Sequence, residues 1–370
     1  MRRPVISLVL TAGLLLAAAV QYFDINTGTS GVSQLPDDFR AKQGFEVLRE
    51  EFGFGLNAPV EIVIDGDINS DLVQGAIQGL TDTLKSNSSF GPSSFEVNSS
   101  NDLALLSVPL VVGPSTEAAI AAVRQLREVS IPQAFAQSPA EVFVTGTTAV
   151  EVDFVDLARR WLPRVIALVL SLSFILLTVV FRSIVIATKA IIMNLLSVGA
   201  AYGILVLVWQ KGIGNEIFGF PQVDVIQAWL PVMLFAILFG LSMDYQVFMI
   251  SRIRERYLQT GDNDDAVAYG LRTTARLITG AALIMVAIFA GFASGEMVPT
   301  SQFGFGMAVA ILLDATIVRS VLVPSTMKLL GDRNWYLPGF LSWLPEIRVD
   351  GDEYPAGAEV AATAPASDSD

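Results

Sequence analysis

The chain has 370 residues, of which 52% are hydrophobic and 16% charged, and its formal net charge at pH 7 is −13. Its mean hydropathy of +0.56 is too high for an ordinary soluble protein and predicts several membrane spans. Acidic residues concentrate in the first 155 positions and the last 25, so the negative charge belongs to water-exposed parts. This distribution argues against nucleic-acid binding.

The chain contains neither cysteine nor histidine. The absence of cysteine excludes disulfides, thiolate catalysis and thiolate metal sites. The absence of histidine leaves carboxylates, tyrosine, lysine and water as the groups that can move protons near neutral pH. The sequence shows no nucleophile triad, metal cluster or cofactor fingerprint, which predicts a protein that is not an enzyme and uses no metal or cofactor.

An apolar stretch at residues 5–22, "VISLVLTAGLLLAAAVQY", follows a basic start. Its length is close to the minimum of about 18 residues that can span a bilayer. A secretory signal peptide has a similar pattern, since a basic start, an apolar stretch and small residues also define that class. The later spans and their even total favour an uncleaved anchor, so we predict that residues 1–22 form the first transmembrane helix.

Residues 23–160 are hydrophilic and alternate between strand-like and helix-like patterns. The patterns predict strands at 59–66, 94–100, 102–112 and 140–146, and helices at 71–87 and 115–129. Ser115 is the predicted N-cap of the second helix. The resulting order, β-α-β-β-α-β, is typical of a ferredoxin-like layer. Gly53 and Gly55 are predicted to lie in a loop, and we expect the domain to act through its shape rather than through catalysis.

The sequence returns to the membrane at Trp161. Further spans are predicted at 161–181, 184–209, 226–250, 277–293 and 303–330, which makes six with the first and places a five-helix bundle at 161–330. Arginines and lysines gather in the loops on one side, which the positive-inside rule assigns to the cytoplasm. Both termini are therefore predicted to be cytoplasmic and residues 23–160 extracytoplasmic. Residues 331–370 form the predicted cytoplasmic tail, which is expected to be disordered after about residue 345 because it is rich in Asp, Glu, Ala and Pro.

The fourth predicted span, within "FGLSMDYQVFMISRIRERY", contains an ionisable pair. Asp244 lies about 12 Å from the arginine-rich cytoplasmic edge, at 1.5 Å per helical residue. Intramembrane acids usually mark ion pathways, although hydrogen bonding between helices is the structural alternative. Neighbouring side chains diverge by about 100° on a helix, so Asp244 and Tyr245 each need a partner on another helix. Gly240 and Ser242 would let such a helix pack closely.

The last predicted span, "GMAVAILLDATIVRSVLVPSTMKLL", contains Asp314 and Arg319. In an α-helix, residues five apart point about 140° away from each other, so the two side chains are not expected to form an ordinary helical ion pair. We expect Arg319 to contact Asp244, or a partner outside this chain, in a relay that responds to protonation. The alternative is that the long Arg319 side chain extends to the membrane surface.

These motifs resemble those of the MMPL transporters of the resistance–nodulation–division (RND) superfamily. The similarity is carried by "LFGLSMDYQVFMISRIRERY", "GLRTTARLITGAALIMVAIFAGF" and "FGFGMAVAILLDATIVRSVLVPSTMKLLGDRNWYLP", within about residues 140–340. The resemblance implies an α-helical polytopic membrane protein with six transmembrane helices and an extracytoplasmic α/β ferredoxin-like (porter) domain between helices one and two. It also implies proton-motive-force-driven export of lipids or other hydrophobic molecules across the inner (plasma) membrane. By the same resemblance, the proton relay comprises Asp244, Tyr245, Asp314 and Arg319.

Members of the family have two six-helix repeats, each with its own Asp-Tyr pair, whereas this chain has one and looks like the second repeat. We therefore expect a partner repeat: a split subunit, a second copy of this chain, or a further part of the same protein. Cross-pairing of Asp244 and Tyr245 with the Tyr and Asp of that repeat would satisfy both residues. Two other interpretations stay open: a non-transporting scaffold or lipid-sensing subunit, and a split protein-export subunit of the same superfamily.

Overall fold

A computed structural model of the protein describes residues 3–28, 31–32, 35–36, 38–52 and 59–344. The predicted loop at Gly53 and Gly55 and the predicted disordered tail after about residue 345 lie outside these ranges. The described chain is mostly helical, and six of its helical segments are long and apolar enough to cross a membrane. These segments are Pro4–Asp24, Thr147–Phe181, Ile184–Gln210, Leu230–Thr260, Asn263–Ala293 and Val298–Trp335.

The regular elements are numbered here in chain order. The helices are α1 (Pro4–Ala19), α2 (Arg40–Phe52), α3 (Asp71–Ser86), α4 (Glu117–Gln125), α5 (Ile131–Ala134), α6 (Thr147–Phe181), α7 (Ile184–Leu205), α8 (Asn215–Phe218), α9 (Leu230–Thr260), α10 (Asn263–Ala293), α11 (Val298–Leu313) and α12 (Val323–Leu330). The strands are β1 (Thr27–Gly28), β2 (Val60–Asp65), β3 (Ser94–Val97), β4 (Leu103–Val108), β5 (Glu141–Thr145) and β6 (Ile226–Gln227). Segments of π-helix continue α4, α7 and α11, at Leu126–Ser130, Val206–Gln210 and Asp314–Leu322.

Residues 60–145 form an α/β layer with its own hydrophobic core. Its strands pair antiparallel in the order β3-β4-β2-β5. Ile62 and Leu106 are registered partners on the face that carries the helices, and both are fully buried. The adjacent partners Val63 and Leu105 point to the other face, because side chains alternate along a strand. These elements overlap the strands and helices predicted from the residue pattern.

The second helix of this layer begins one residue later than predicted. The side chain of Thr116, not Ser115, accepts a hydrogen bond from the Ala119 amide at 3.3 Å and is the N-cap. Both neighbours carry a hydroxyl group that could cap a helix, so composition alone does not separate them. The π segment and α5 then continue the helical path as far as Ala134.

Helix α6 runs without interruption from the α/β layer into the second span. It has 35 residues, so the predicted boundary between residues 160 and 161 falls inside a helix. Arg127 Nη1 bonds Asp153 Oδ1 at 2.5 Å, and Arg124 pairs with Asp156. These contacts attach the α/β layer to the first turns of α6. Because these turns contain charged residues, a search for apolar runs does not detect the start of the helix.

Small residues allow the spans to approach closely at two crossings. A Cβ atom at Gly203 would overlap the carbonyl oxygen of Ala18, which places α7 directly against α1. A Cβ atom at Gly304 would overlap the backbone nitrogen of Ala293, at the crossing of α10 and α11. Small residues serve this role in membranes because helix association there depends on van der Waals packing.

Candidate functional site

Asp314 and Arg319 form a buried ion pair inside the last span. Arg319 Nε and Nη2 both donate to Asp314 Oδ2, at 2.9 and 2.8 Å. The exposed fractions of the Arg319 and Asp314 side chains are 4% and 8%. The prediction that the two residues diverge is wrong, because Asp314–Leu322 is a π-helix. Its backbone hydrogen bonds join residues five apart, which brings Asp314 and Arg319 to one side of the helix.

Arg319 also joins the last span to α9. Its Nη2 donates to the backbone carbonyl oxygen of Ser242 and, at 3.2 Å, to Ser242 Oγ. Its guanidinium carbon lies 5.3 Å from the centre of the Tyr245 ring, within the range of a cation–π contact. The expected contact with Asp244 is therefore wrong, and so is the alternative in which Arg319 extends to the surface.

Tyr245 points into the helix bundle. Its ring lies beneath Arg319, and its hydroxyl group is 3.8 Å from Met285 Sδ on α10. Tyr245 therefore contacts other helices of this chain. The partner predicted from the sequence, the Asp of another repeat, stays a prediction.

Asp244 and Gly240 lie together on an exposed face of α9. Among the described residues, none forms a hydrogen bond or ion pair with the side chain of Asp244. A Cβ atom at Gly240 would have no described atom within 4 Å. Residues four apart share one side of a helix, so the two positions define a single surface that the described residues leave open. Close packing of another helix at Gly240 stays a prediction.

A narrow crevice opens beside the ion pair. Ser242, Tyr245, Asp314 and Arg319 are its polar groups. The rest of its lining is apolar and comes mainly from α9, α10 and α11, with Leu238, Leu241, Ile278, Ala282, Met285, Ile311 and Ala315. Because apolar walls lower the local dielectric constant, a change of charge at Asp314 acts strongly on Arg319.

Asn194 is a buried polar residue of the site that was not predicted from the sequence. This residue of α7 is 2% exposed, and its Oδ1 accepts a hydrogen bond of 3.1 Å from Ser242 Oγ. Ser242 was predicted to serve close packing, which stays a prediction, and it is also a hydrogen-bonding group that links α7 to Arg319. The available signal was an amide in an otherwise apolar run, since polar residues within membrane helices often bond between helices.

Among the residues that the structure describes, no three His, Cys, Asp or Glu side chains come close enough together to hold a metal ion.

The chain is similar to known membrane transport proteins. The sequence profile of the MMPL family matches residues 70–346. The mycolic acid-containing lipids exporter MmpL11 of Mycolicibacterium smegmatis is 40% identical over 353 residues, which cover 94% of this chain and 37% of that protein. The heme uptake protein MmpL11 of Mycobacterium tuberculosis is 38% identical over 357 residues, or 95% of this chain and 36% of that protein. The trehalose monomycolate exporter MmpL3 of M. smegmatis is 36% identical over 209 residues, or 56% of this chain and 20% of that protein.

The similarity to the MmpL11 proteins covers nearly all of this chain but only part of each relative. The chain spans little more than a third of the length of its MmpL11 relatives. The family match covers most of the α/β layer and every span after the first, including all four predicted relay residues. A match over well more than half of the chain, on six membrane-spanning helices, identifies this multi-pass membrane protein as a member of the MMPL family.

Proposed function

We propose that the chain is one half of a proton-driven transporter that exports lipids or other hydrophobic molecules across the inner membrane. The observation that carries the proposal is the Asp314–Arg319 pair, buried within the spans against Ser242 and Tyr245. Charged side chains within membrane helices are costly and usually mark pathways for protons or ions. Two of the similar proteins are named as lipid exporters, which supports a lipid cargo.

The second half of the transporter packs on the exposed face of α9. Asp244 lies on that face, and no described residue of this chain pairs with it. The MmpL11 relatives are more than twice as long as the aligned region, which leaves room in them for a second helical bundle. For this chain, a split subunit, a second copy or a further part of the same protein would supply the tyrosine that pairs with Asp244.

The α/β layer is an extracytoplasmic porter domain in this proposal. The strand order β3-β4-β2-β5, with α3 in the first crossover and α4 continued by α5 in the second, supports a ferredoxin-like fold. The positive-inside rule supports cytoplasmic termini and places residues 23–160 outside. Because α6 continues directly from this layer into the second span, movement of the helix bundle would reach the porter domain.

The mechanism has three steps. A proton from outside neutralises Asp244 and weakens its contact with the second bundle. The two bundles then shift relative to each other, while Arg319 holds α9 to the last span, and the porter domains pass the cargo outward. Release of the proton to the cytoplasm resets the site. One charge that crosses a potential of 100 mV supplies about 2.3 kcal/mol, before any pH gradient is counted.

Transport of a fluorescent lipid in membrane vesicles from cells that produce the protein tests this proposal. We expect uptake into inverted vesicles to follow an imposed proton gradient and to stop when a protonophore is added. Heme is the second cargo to test, because one similar protein is named for heme uptake. Lipid movement that continues unchanged after the protonophore is added would favour a scaffold or lipid-sensing subunit. A protein-secretion defect without a lipid defect would favour a split protein-export subunit.

A further inference from the structure

A chain of hydrogen bonds leads from Asn194 to the buried acid across three helices. Ser242 Oγ on α9 donates to Asn194 Oδ1 on α7 at 3.1 Å and accepts from Arg319 Nη2 at 3.2 Å. The same nitrogen of Arg319 donates to Asp314 Oδ2 at 2.8 Å. A serine hydroxyl has one proton and two lone pairs. Because Asn194 accepts that proton, a lone pair of Ser242 faces Arg319.

Water has little access to these groups. Asn194, Ser242 and Arg319 are 2%, 4% and 3% exposed. A hydrogen bond between buried groups is stronger than one in water. A Ser242 hydroxyl proton that pointed towards the positively charged guanidinium group of Arg319 would raise the free energy of the folded state. The orientation of the Ser242 hydroxyl therefore affects how firmly Arg319 is held against Asp314.

Among the described residues, few other charged or titratable side chains lie beside this ion pair. Tyr245 on α9 is the titratable group beside it, and the α10 and α11 side chains that line the crevice are apolar. Helix α1, which also packs against the last span, has no ionisable side chain. Lys189 on α7 instead bonds the side-chain oxygen of Asn334 at 3.2 Å, and Lys328 on α12 pairs with Asp264.

We infer that Asn194 is a positioning residue for the relay, whose side-chain oxygen orients the Ser242 hydroxyl so that Arg319 stays on Asp314. This inference deepens the proposed function and rests on it for its biological meaning. Replacing Asn194 by Leu removes the acceptor, and the Ser242 hydroxyl then turns to a carbonyl group of its own helix or towards Arg319. In either case Arg319 stabilises the Asp314 carboxylate less well.

Modification of Asp314 by a carbodiimide tests the inference without any transport assay. Dicyclohexylcarbodiimide reacts with protonated carboxyl groups in membranes, and mass spectrometry of peptides separates Asp314 from Asp244. The full chain is reconstituted in lipid vesicles at pH 7. We expect Asn194→Leu to raise the modification of Asp314 about three- to tenfold, because the carbodiimide reacts with the protonated carboxyl group and a loosely held Arg319 stabilises the carboxylate less well. Modification of Asp244 in the same sample should not change.

Two further variants test whether the result depends on the hydrogen bonds that link Asn194, Ser242 and Arg319. Ser197→Ala is the matched control, because Ser197 is 2% exposed, lies on α7 one turn from Asn194, and its hydroxyl has no hydrogen-bond partner among the described residues. We expect Ser197→Ala to leave the modification of Asp314 at the wild-type level. Ser242→Ala should raise the modification of Asp314 as Asn194→Leu does, and the double variant should raise it no further, because both changes break the same chain.

Three results would overturn the role of Asn194. These are wild-type modification of Asp314 in Asn194→Leu, an equal rise in Ser197→Ala, and effects of Asn194→Leu and Ser242→Ala that multiply in the double variant. If Asn194→Leu does not fold, the same comparison is made with Asn194→Ala. A wild-type protein that transports no lipid would overturn the proposed function alone, since the carbodiimide result is read independently of transport.

Discussion

Arg319 reaches Asp314 because the last span is π-helical between them. Two guanidinium nitrogens donate to a single carboxylate oxygen, at 2.9 and 2.8 Å, across five residues of chain. In an α-helix the same residues would point about 140° apart. The π-helix Asp314–Leu322 therefore creates the ion pair, and the ion pair in turn favours this helical form over the ordinary one.

Deletion of Thr316 tests this dependence. Thr316 is exposed and lies between the two partners, so its removal leaves Asp314 and Arg319 four residues apart. That spacing allows an ion pair in an ordinary α-helix. We expect the deletion variant to fold, with a midpoint of thermal unfolding in detergent close to that of the wild type.

Deletion of Leu283 is the control. Leu283 is 69% exposed and lies in α10, which has no π segment to absorb the change. Its removal rotates one half of α10 by about 100° against its neighbours, so we expect little folded protein. Equal tolerance, or equal failure, of the two deletions would contradict the link between the π-helix and the ion pair.

The ion pair should show a strong asymmetry between single and double substitution. Arg319→Leu leaves the Asp314 carboxyl group buried without its partner, and we expect a loss of about 3–5 kcal/mol in the free energy of unfolding. The double variant Asp314→Leu with Arg319→Leu removes both charges and should recover most of that loss. Unfolding in mixed micelles with increasing SDS measures both. A double variant as unstable as the single one would show that the charge itself is not the cause.

The crossing of α10 and α11 should tolerate no added methyl group. Gly304→Ala places a carbon atom against the backbone nitrogen of Ala293, so we expect a loss of about 1–3 kcal/mol in the free energy of unfolding from overpacking. Gly280→Ala in α10 meets no described atom within 4 Å and should be neutral or stabilising by up to about 1 kcal/mol. Thermal unfolding in detergent compares them. Similar midpoints for the two variants would mean that the helices do not cross this closely.

Residue patterns predicted much of this architecture, and the failures have physical causes. The six spans are apolar runs, which the hydropathy of the chain reveals directly. The Asp314–Arg319 contact was missed because nothing in those residue types signals a change from an i+4 to an i+5 helical period. Asn194 was missed because its role depends on which helix lies opposite, and packing between helices is not encoded in any local pattern.

The exposed face of α9 should be covered in the intact assembly. Gly240→Trp places a bulky group on that face, and we expect it to reduce the native mass of the complex, extracted in mild detergent, towards that of a 39.7 kDa monomer. Gly280→Trp is the matched control, since a Cβ atom at either glycine would meet no described atom within 4 Å. A wild-type protein that is already monomeric, or an equal effect of both substitutions, would argue against a split subunit or a second copy of the chain as the partner at Asp244.

The most direct test of the account is proton flux in membrane vesicles that contain the protein, measured with a pH-sensitive dye when a lipid cargo is supplied. We predict lipid-dependent proton movement in the wild type and a loss of at least about tenfold in Asp244→Asn, because the amide cannot carry the proton. Asp82→Asn, which alters an exposed carboxylate of α3, should behave as the wild type. Undiminished lipid-dependent proton flux in Asp244→Asn would contradict the account.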